Sequence, residues 1–576
     1  MNISISKHIK KPVLHGILSV IALGGASAGL LSSCSDFLDI TPLNKVVLEN
    51  FWTQKSEVNA VLMGCYESLE SEESIIRMGV WGEMRSENIL QGASIGNEYN
   101  EILNENILPT NSLTKWNVMY QTINRCNTVC HYAPMVQKKD PNYTVNELNA
   151  NIAEASFIRD LCYFYLIRTF RDVPLSFEPT IDDTKEFQIP ATPMNAALDS
   201  LIKDLESVKD YAVKRYVDDS KMSNAQAASQ AYENSSRVTR VAIYALLADL
   251  NLWRGNYDET IKYCDLIIDF KKNQYKEKIA RIGDLTDMQE FAGIPLILEA
   301  PAGSVTCGNA YNEIFGTGNS FESIFELYFR NNQQVKNKYV NEFFGKDRLG
   351  SISGLSRYCK DAATGNSDLF TKNDCRVYAT SQKSNSRYAI TKYVNSSVSM
   401  DIKNVTDEKS LKLTTSRGNA EYANWIIYRL TDVMLMKAEA CILKGEAEYE
   451  TAFTLINAVN KRAHNYTTSA AKDTLVFDDY RTSQEKMEQL LLDERNRELM
   501  FEGKRWYDLV RIAVRDGNNQ RLVSEATKKY QDKVNALKIK LADPNIIFFP
   551  YNKEELKVNP FLKQNSAYGN TEEFEQ

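Results

Sequence analysis

Histidine is close to absent from this chain: 576 residues contain four. Two of these, His8 and His15, precede residue 34, so a hydrolase built on imidazole would depend on His131 or His464. The ten cysteines show no repeated short spacing, and nine of them, an odd number, follow Cys34. That excludes the disulfide framework by which a small secreted domain holds itself together. Cys126, Cys130 and His131 come nearest to a metal set but lack a fourth ligand, so neither a metal nor a cofactor is expected. A basic surplus is missing too. The formal charge is −7, and −10 once Lys7, Lys10 and Lys11 are left out, which disfavours nucleic acid and anionic lipid as partners. Beyond residue 31 no apolar run reaches the length of a bilayer span. With 43% hydrophobic and 25% charged residues, the remainder reads as a large globular body.

What is present begins with a basic segment free of acids, followed from Val13 to Leu31 by apolar and small residues apart from His15. This is the layout of an export signal. Four glycines and the lack of a basic flank on the far side argue against a membrane anchor. The run ends in Leu31-Ser32-Ser33-Cys34, which resembles a bacterial lipobox. That resemblance implies cleavage of the 1–33 signal peptide and acylation of Cys34, with several acyl chains, palmitate among them, giving stable membrane anchoring.

The dominant periodicity is helical and comes in pairs. Residues 237–270 set Val241, Tyr244, Ala245, Ala248 and Leu252 on one stripe, break at Gly255-Asn256, and resume with Ile261, Cys264, Ile267 and Ile268. Residues 426–463 repeat the arrangement around Gly445, and a longer pair flanks Pro141. Such units are tetratricopeptide-like, and each must stack on others because one pair cannot bury its apolar face alone. The expected architecture is therefore mostly α, a scaffold of helix pairs. Helical regions at 34–280 and 421–576 enclose a loop-rich insertion at 281–420 with short strands near 321–329 and 387–394.

Four blocks carry a family resemblance: AEASFIRDLCYFYLIRTFRDVPL (153–175), YRLTDVMLMKAEA (428–440), LLDERNRELMFEGKRWYDLVRI (491–512) and IIFFPYNKEELKVNPFLKQNSAY (546–568). In this order they resemble the RagB/SusD family of nutrient-uptake outer-membrane lipoproteins. The resemblance implies a non-catalytic cell-surface protein, held in the outer membrane through lipid on Cys34. Its partner would be a SusC-like TonB-dependent transporter, to which it delivers a captured glycan or oligosaccharide. Oligopeptide cargo is the alternative within the same role. One departure stands out: the family often has Gly where this chain has Arg171 in FRDVP.

Two kinds of candidate chemistry remain. Glu494 and Glu498, one turn apart, could mimic a glycosidase pair, which needs two carboxylates about 5–10 Å apart. Each has an arginine within reach, however, which lowers its pKa and spoils a proton donor, so an ion-pair network is expected, with pairs such as Asp493–Arg497 and Glu502–Arg505. Sugar binding instead calls for flat aromatics edged by amides. Tyrosines in polar loops meet that need, which singles out Asn97, Tyr99 and Asn100 in one loop and Asn309, Tyr311 and Asn312 in another.

Overall fold

Apolar stripes pair helices here as they must. In the computed structural model, α1 (Lys55–Leu69) and α2 (Glu72–Glu83) lead to the short α3 (Asn97–Leu103) and then the long antiparallel pair α4 (Asn117–Lys139) and α5 (Val145–Phe170). Next come α6 (Met194–Val208) and the pair α7 (Arg240–Arg254) and α8 (Tyr257–Ile282). The short α9 (Lys338–Phe343) precedes the pair α10 (Leu430–Lys444) and α11 (Tyr449–His464), and α12 (Gln484–Leu499) and α13 (Arg505–Asp516) follow. The structure describes residues 51–569 apart from 93, 181–187, 219–231, 284, 330–334, 346–353, 355, 359–368, 371–373, 385–386, 405–410, 416 and 465–474. Cys34 and the 1–33 segment thus lie outside the described residues.

Local chemistry sets the helix limits. Thr144 and Glu147 form a capping box at the start of α5: the Glu147 amide donates to Thr144 Oγ1 (3.2 Å) and the Thr144 amide to Glu147 Oε2 (2.9 Å). Gly255, at φ 86° and ψ 16°, supplies the left-handed residue that ends α7 and lets α8 fold back. The segment 491–512, whose charges read as one continuous helix, is two. Phe501 (φ 67°) and Gly503 (φ 70°) turn the chain between α12 and α13.

α5 ends less comfortably. Arg171 sits at φ 72° and ψ −74°, and the Asp172 amide donates to the Phe170 carbonyl at 3.1 Å. This is a γ-turn of the rare, strained kind. A positive φ costs a residue with a Cβ about 1–3 kcal/mol. The compensating bonds, Arg171 to Asn545 Oδ1 (2.7 Å) and to Asp172 Oδ2 (2.9 Å), come from a side chain 44% exposed, where such contacts add about 1 kcal/mol or less. Arg171→Gly is expected to match or exceed the stability of the parent in urea unfolding, and Arg171→Val to fall below it. A glycine variant less stable than the valine one would mean the turn is unstrained.

Strands concentrate between residues 288 and 429. Ser323–Leu327 pairs antiparallel with Trp425–Arg429, every residue of both buried, and the second strand runs directly into α10. A four-stranded sheet places Ile89–Gln91 at one edge, then Ser356–Tyr358, Arg387–Ile390 and Ser381–Ser384. The expected strand 387–394 is thus shorter, since the chain turns at 391–394. From Trp52 on, the described residues form one compact unit, the described part of the insertion included. Where α2, the end of α5 and the C-terminal segment meet, rings pack edge to face: Trp81 on Phe170 (5.5 Å) and Trp116 on Phe170 (5.2 Å). The Phe549 amide donates to the Thr169 carbonyl (2.8 Å), stitching the C-terminal segment into this hub.

Candidate ligand-binding site

The two tyrosine segments selected from the sequence meet different fates. Residues 97–103 form α3, begun by Gly96 and anchored by buried Ile102 and Leu103. This helix follows directly on Ile89–Gln91, whose pairing with Ser356–Tyr358 brings the segment against the insertion. Tyr99 is half-buried, its ring edge-on to Phe343 at 5.0 Å, and Phe343 in turn stacks on Tyr339. Burial, with the charges of Glu342 and Glu98, raises the Tyr99 phenol pKa. Asn97 and Asn100 are exposed on either side of it. Asn100 Oδ1 accepts from Asn104 (2.8 Å), while among the described residues the Asn97 amide and the Tyr99 hydroxyl have no hydrogen-bond partner. Lys338, on the same helix as Phe343, is paired with Glu72 at 2.9 Å. The result is an aromatic edge with open polar groups beside it.

Asn309, Tyr311 and Asn312 are structural, which corrects the expectation that they form an open loop. Tyr311 is 4% exposed, and its hydroxyl donates to the Thr391 carbonyl (3.0 Å) and accepts from the Asn395 amide (3.2 Å). Asn312 clamps residue 398 of the strand Asn395–Asp401, giving to the Val398 carbonyl (3.1 Å) and receiving from its amide (2.7 Å). Asn309 donates to the Leu298 carbonyl at 3.2 Å. These bonds hold backbone groups, so the Tyr311 hydroxyl, the Asn312 amide and the Asn309 Nδ2 are spent on the fold.

The carboxylates of α12 are likewise engaged, by partners far away in sequence. Glu498 binds Arg429 (2.6 Å), Arg376 (2.9 Å) and Arg462, while Glu494 binds Arg376 (2.8 Å) and Arg497 (2.9 Å). Burial pushes the Glu498 pKa up, but the three guanidiniums overrule it and hold the carboxyl well below the usual range. Such a group cannot serve as a general acid near neutral pH. The pairs expected from spacing are replaced: Arg497 takes Glu494 rather than Asp493, Arg505 takes Glu87 and Glu525, and Glu502 takes Lys392 and Arg429.

Glu83, at the end of α2, behaves oppositely. Burial raises its pKa to about 7 although it accepts from the Gly503 amide (3.1 Å) and the Lys504 amide (3.3 Å). In the unfolded chain a glutamate titrates near about 4.3, so the native state favours the proton, and the resulting stability is lost as pH rises from there through about 7. Glu83→Gln keeps an acceptor for both amides. It is expected to raise the melting temperature at pH 8 and change it little at pH 4. An equal shift at both values would show that Glu83 is ionised throughout.

A separate groove of about 640 Å³ lies between the first turns of α4, residues 174–180 and residues 555–562. Half-buried Tyr120 forms its aromatic side with Trp116 and Tyr163 buried behind it, and Asn117, Gln121, Glu555 and Lys557 are among its polar lining. Sequence reasoning did not single these out. The available signal was Asn117 and Gln121, polar residues one turn apart flanking Tyr120.

With this geometry, comparison with known proteins is informative. The fold recurs among solved structures of the SusD superfamily. A SusD superfamily structure from Bacteroides thetaiotaomicron superposes with a TM-score of 0.61 at 19% identity, covering 90% of this chain and 99% of that one. A laminarin-binding SusD-like protein superposes at 0.59 and 19% identity, with 90% and 100% covered. The family model for the SusD family matches residues 322–568, and one described as starch-binding associating with outer membrane matches residues 36–252. SusD-like protein P38 of Formosa agariphila is 22% identical over 86% of this chain and 91% of its own length; SusD-like protein P25 of the same organism is 23% identical over 93% and 96%. The chain belongs to the SusD family.

Proposed function

We propose that this protein is a non-catalytic outer-membrane lipoprotein, anchored through Cys34, that captures a nutrient glycan at the cell surface and passes it to a SusC-like TonB-dependent transporter. The observation that carries the binding role is the edge of α3: a half-buried tyrosine ring with an unpartnered hydroxyl and an open Asn97 amide beside it. A sugar offers a C–H face for such a ring and hydroxyls for such amides. Asn97, Tyr99 and Asn100 are assigned as direct contacts. The family description as starch-binding and the laminarin-binding neighbour support a glycan as cargo. The paired carboxylates of α12 supply no proton donor for cleavage.

Tyr99→Ala is expected to weaken oligosaccharide binding by about tenfold or more while leaving the circular dichroism spectrum intact. Titration calorimetry against starch- and laminarin-derived oligosaccharides reads this directly. Unchanged affinity would remove α3 from the site, and shortened products in the supernatant would make the protein an enzyme.

A further inference from the structure

The groove at the start of α4 has the attributes of a second binding site. Its far wall is held open by side chains rather than by the ligand. Tyr120 donates to the Pro174 carbonyl (2.7 Å) and Tyr163 to the Ser176 carbonyl (2.8 Å). Asn127 donates to the Ser176 and Glu178 carbonyls (3.0 and 3.2 Å), and Asn124 both gives to and receives from the Thr180 backbone (3.3 and 2.7 Å). These four residues therefore spend their polar groups on the wall. Asn117 and Gln121, exposed one turn apart on α4, have no hydrogen-bond partner among the described residues and line the cavity with their amides unspent. The volume, about 640 Å³, falls within the range of about 300–1,000 Å³ typical of small-molecule sites.

Charge narrows the ligand. Among the described lining residues Lys557 is the single cation, and it already neighbours Glu554 at 3.4 Å. Glu178 and Glu555 are the acids. A sulfated or uronate-bearing ligand would meet two carboxylates and one engaged ammonium, an unfavourable balance. The half-buried ring of Tyr120, the spare amides and, among the described residues, the lack of a cation outside an ion pair suit rings bearing hydroxyls and no charge.

We infer that this groove is a second saccharide site, taking a short stretch of uncharged glycan through Asn117 and Gln121 against the ring of Tyr120. The inference rests on the capture role proposed above. It adds that the cargo is neutral and that the protein holds it at two places, so that a longer chain binds more tightly through its raised effective concentration at the second site.

The test titrates the mature chain with short starch- and laminarin-derived oligosaccharides, a uronate oligomer and an uncharged oligopeptide. Three proteins are compared: the parent, Tyr99→Ala, and the double variant Asn117→Ala with Gln121→Ala, whose exposed positions leave the core untouched. Trp116→Phe serves as a second reading, since ligand in the groove should alter tryptophan emission in the parent and alter it less in this variant. Two binding events are expected for neutral oligosaccharides, the double variant weakening one by about tenfold and Tyr99→Ala the other. Saccharide binding that responds to Tyr99→Ala alone overturns the groove and leaves the capture role standing. No saccharide bound by any form overturns the capture role itself. Preference of the groove for the uronate or the oligopeptide overturns the neutral-glycan assignment.

Discussion

Glu498→Ala should unfold at markedly lower urea, with a loss of about 3–5 kcal/mol, because it removes the carboxylate shared by Arg376, Arg429 and Arg462 and leaves a buried cluster with one negative charge too few. The magnitude follows from burial. Glu498 and the three arginines are all nearly inaccessible to water, so although Arg376 keeps Asp374 and Glu494, Arg429 keeps Glu502 and Arg462 keeps Glu322, water cannot replace the lost charge. An exposed pair such as Lys557–Glu554 would change stability by about 1 kcal/mol or less on the same treatment. Acid should attack this cluster and a second buried one, in which Asp508 pairs with Arg495 and Arg511. Asp508, held at about 2 by Arg495 and Arg511 against the opposing effect of burial, titrates below the value of about 3.9 it has in the unfolded chain. The stability it contributes is complete above about pH 4 and is lost as pH falls through about 2. Glu498, displaced in the same direction, adds to that acid limb. A variant lacking Glu498 that lost under about 1 kcal/mol would show the cluster to be solvated rather than dry.

Gly82→Ala is the second substitution expected to be severe. A Cβ there would lie 1.9 Å from the Gly503 carbonyl oxygen, and backbone cannot swing aside as a side chain can. The far side of Gly503 is packed as well: a Cβ built there would lie 2.9 Å from Trp425 Cζ2 and 3.1 Å from the Met78 carbonyl oxygen, and the residue sits at φ 70°. Overpacking against side chains costs about 1–3 kcal/mol, and this contact should exceed that range. Gly64→Ala is the matched control: it lies within α1 with nothing inside 4 Å, and alanine should gain up to about 1 kcal/mol there. The comparison is read from urea midpoints of the three proteins. Equal stability for both variants would mean that α2 and the 500–504 turn are not in contact.

The helix pairs were legible because their stripes recur every three to four residues and their breaks fall at glycine. The sheets were not. Ile89–Gln91 finds its partner in Ser356–Tyr358, and nothing local to either segment names the other. The ion pairs failed for a related reason: spacing proposes neighbours on one helix, while burial selected Arg376, Lys392, Arg429 and Arg462 from other elements. Tyr99 and Tyr311 make the limit explicit. Each heads an i, i+3, i+4 apolar stripe, Ile102 and Leu103 for the first, Ile314 and Phe315 for the second. The local pattern cannot tell them apart. What separates them is the cover, a hydrogen-bonded stretch from 391 to 398 over Tyr311 and a single ring edge against Tyr99.

Lys392 donates to the Glu498 and Met500 carbonyls (3.0 Å each) and to Glu502 (2.7 Å), while Arg376 reaches Glu494 and Glu498. The insertion is thus moored by two cations to the C-terminal end of α12, a stretch the ribosome makes about a hundred residues later. A nascent chain halted before residue 484 holds the insertion and lacks its berth. A product that lacks this tail therefore leaves Lys392 and Arg376 without the Glu502, Glu494 and Glu498 carboxylates that neutralise them in the finished protein.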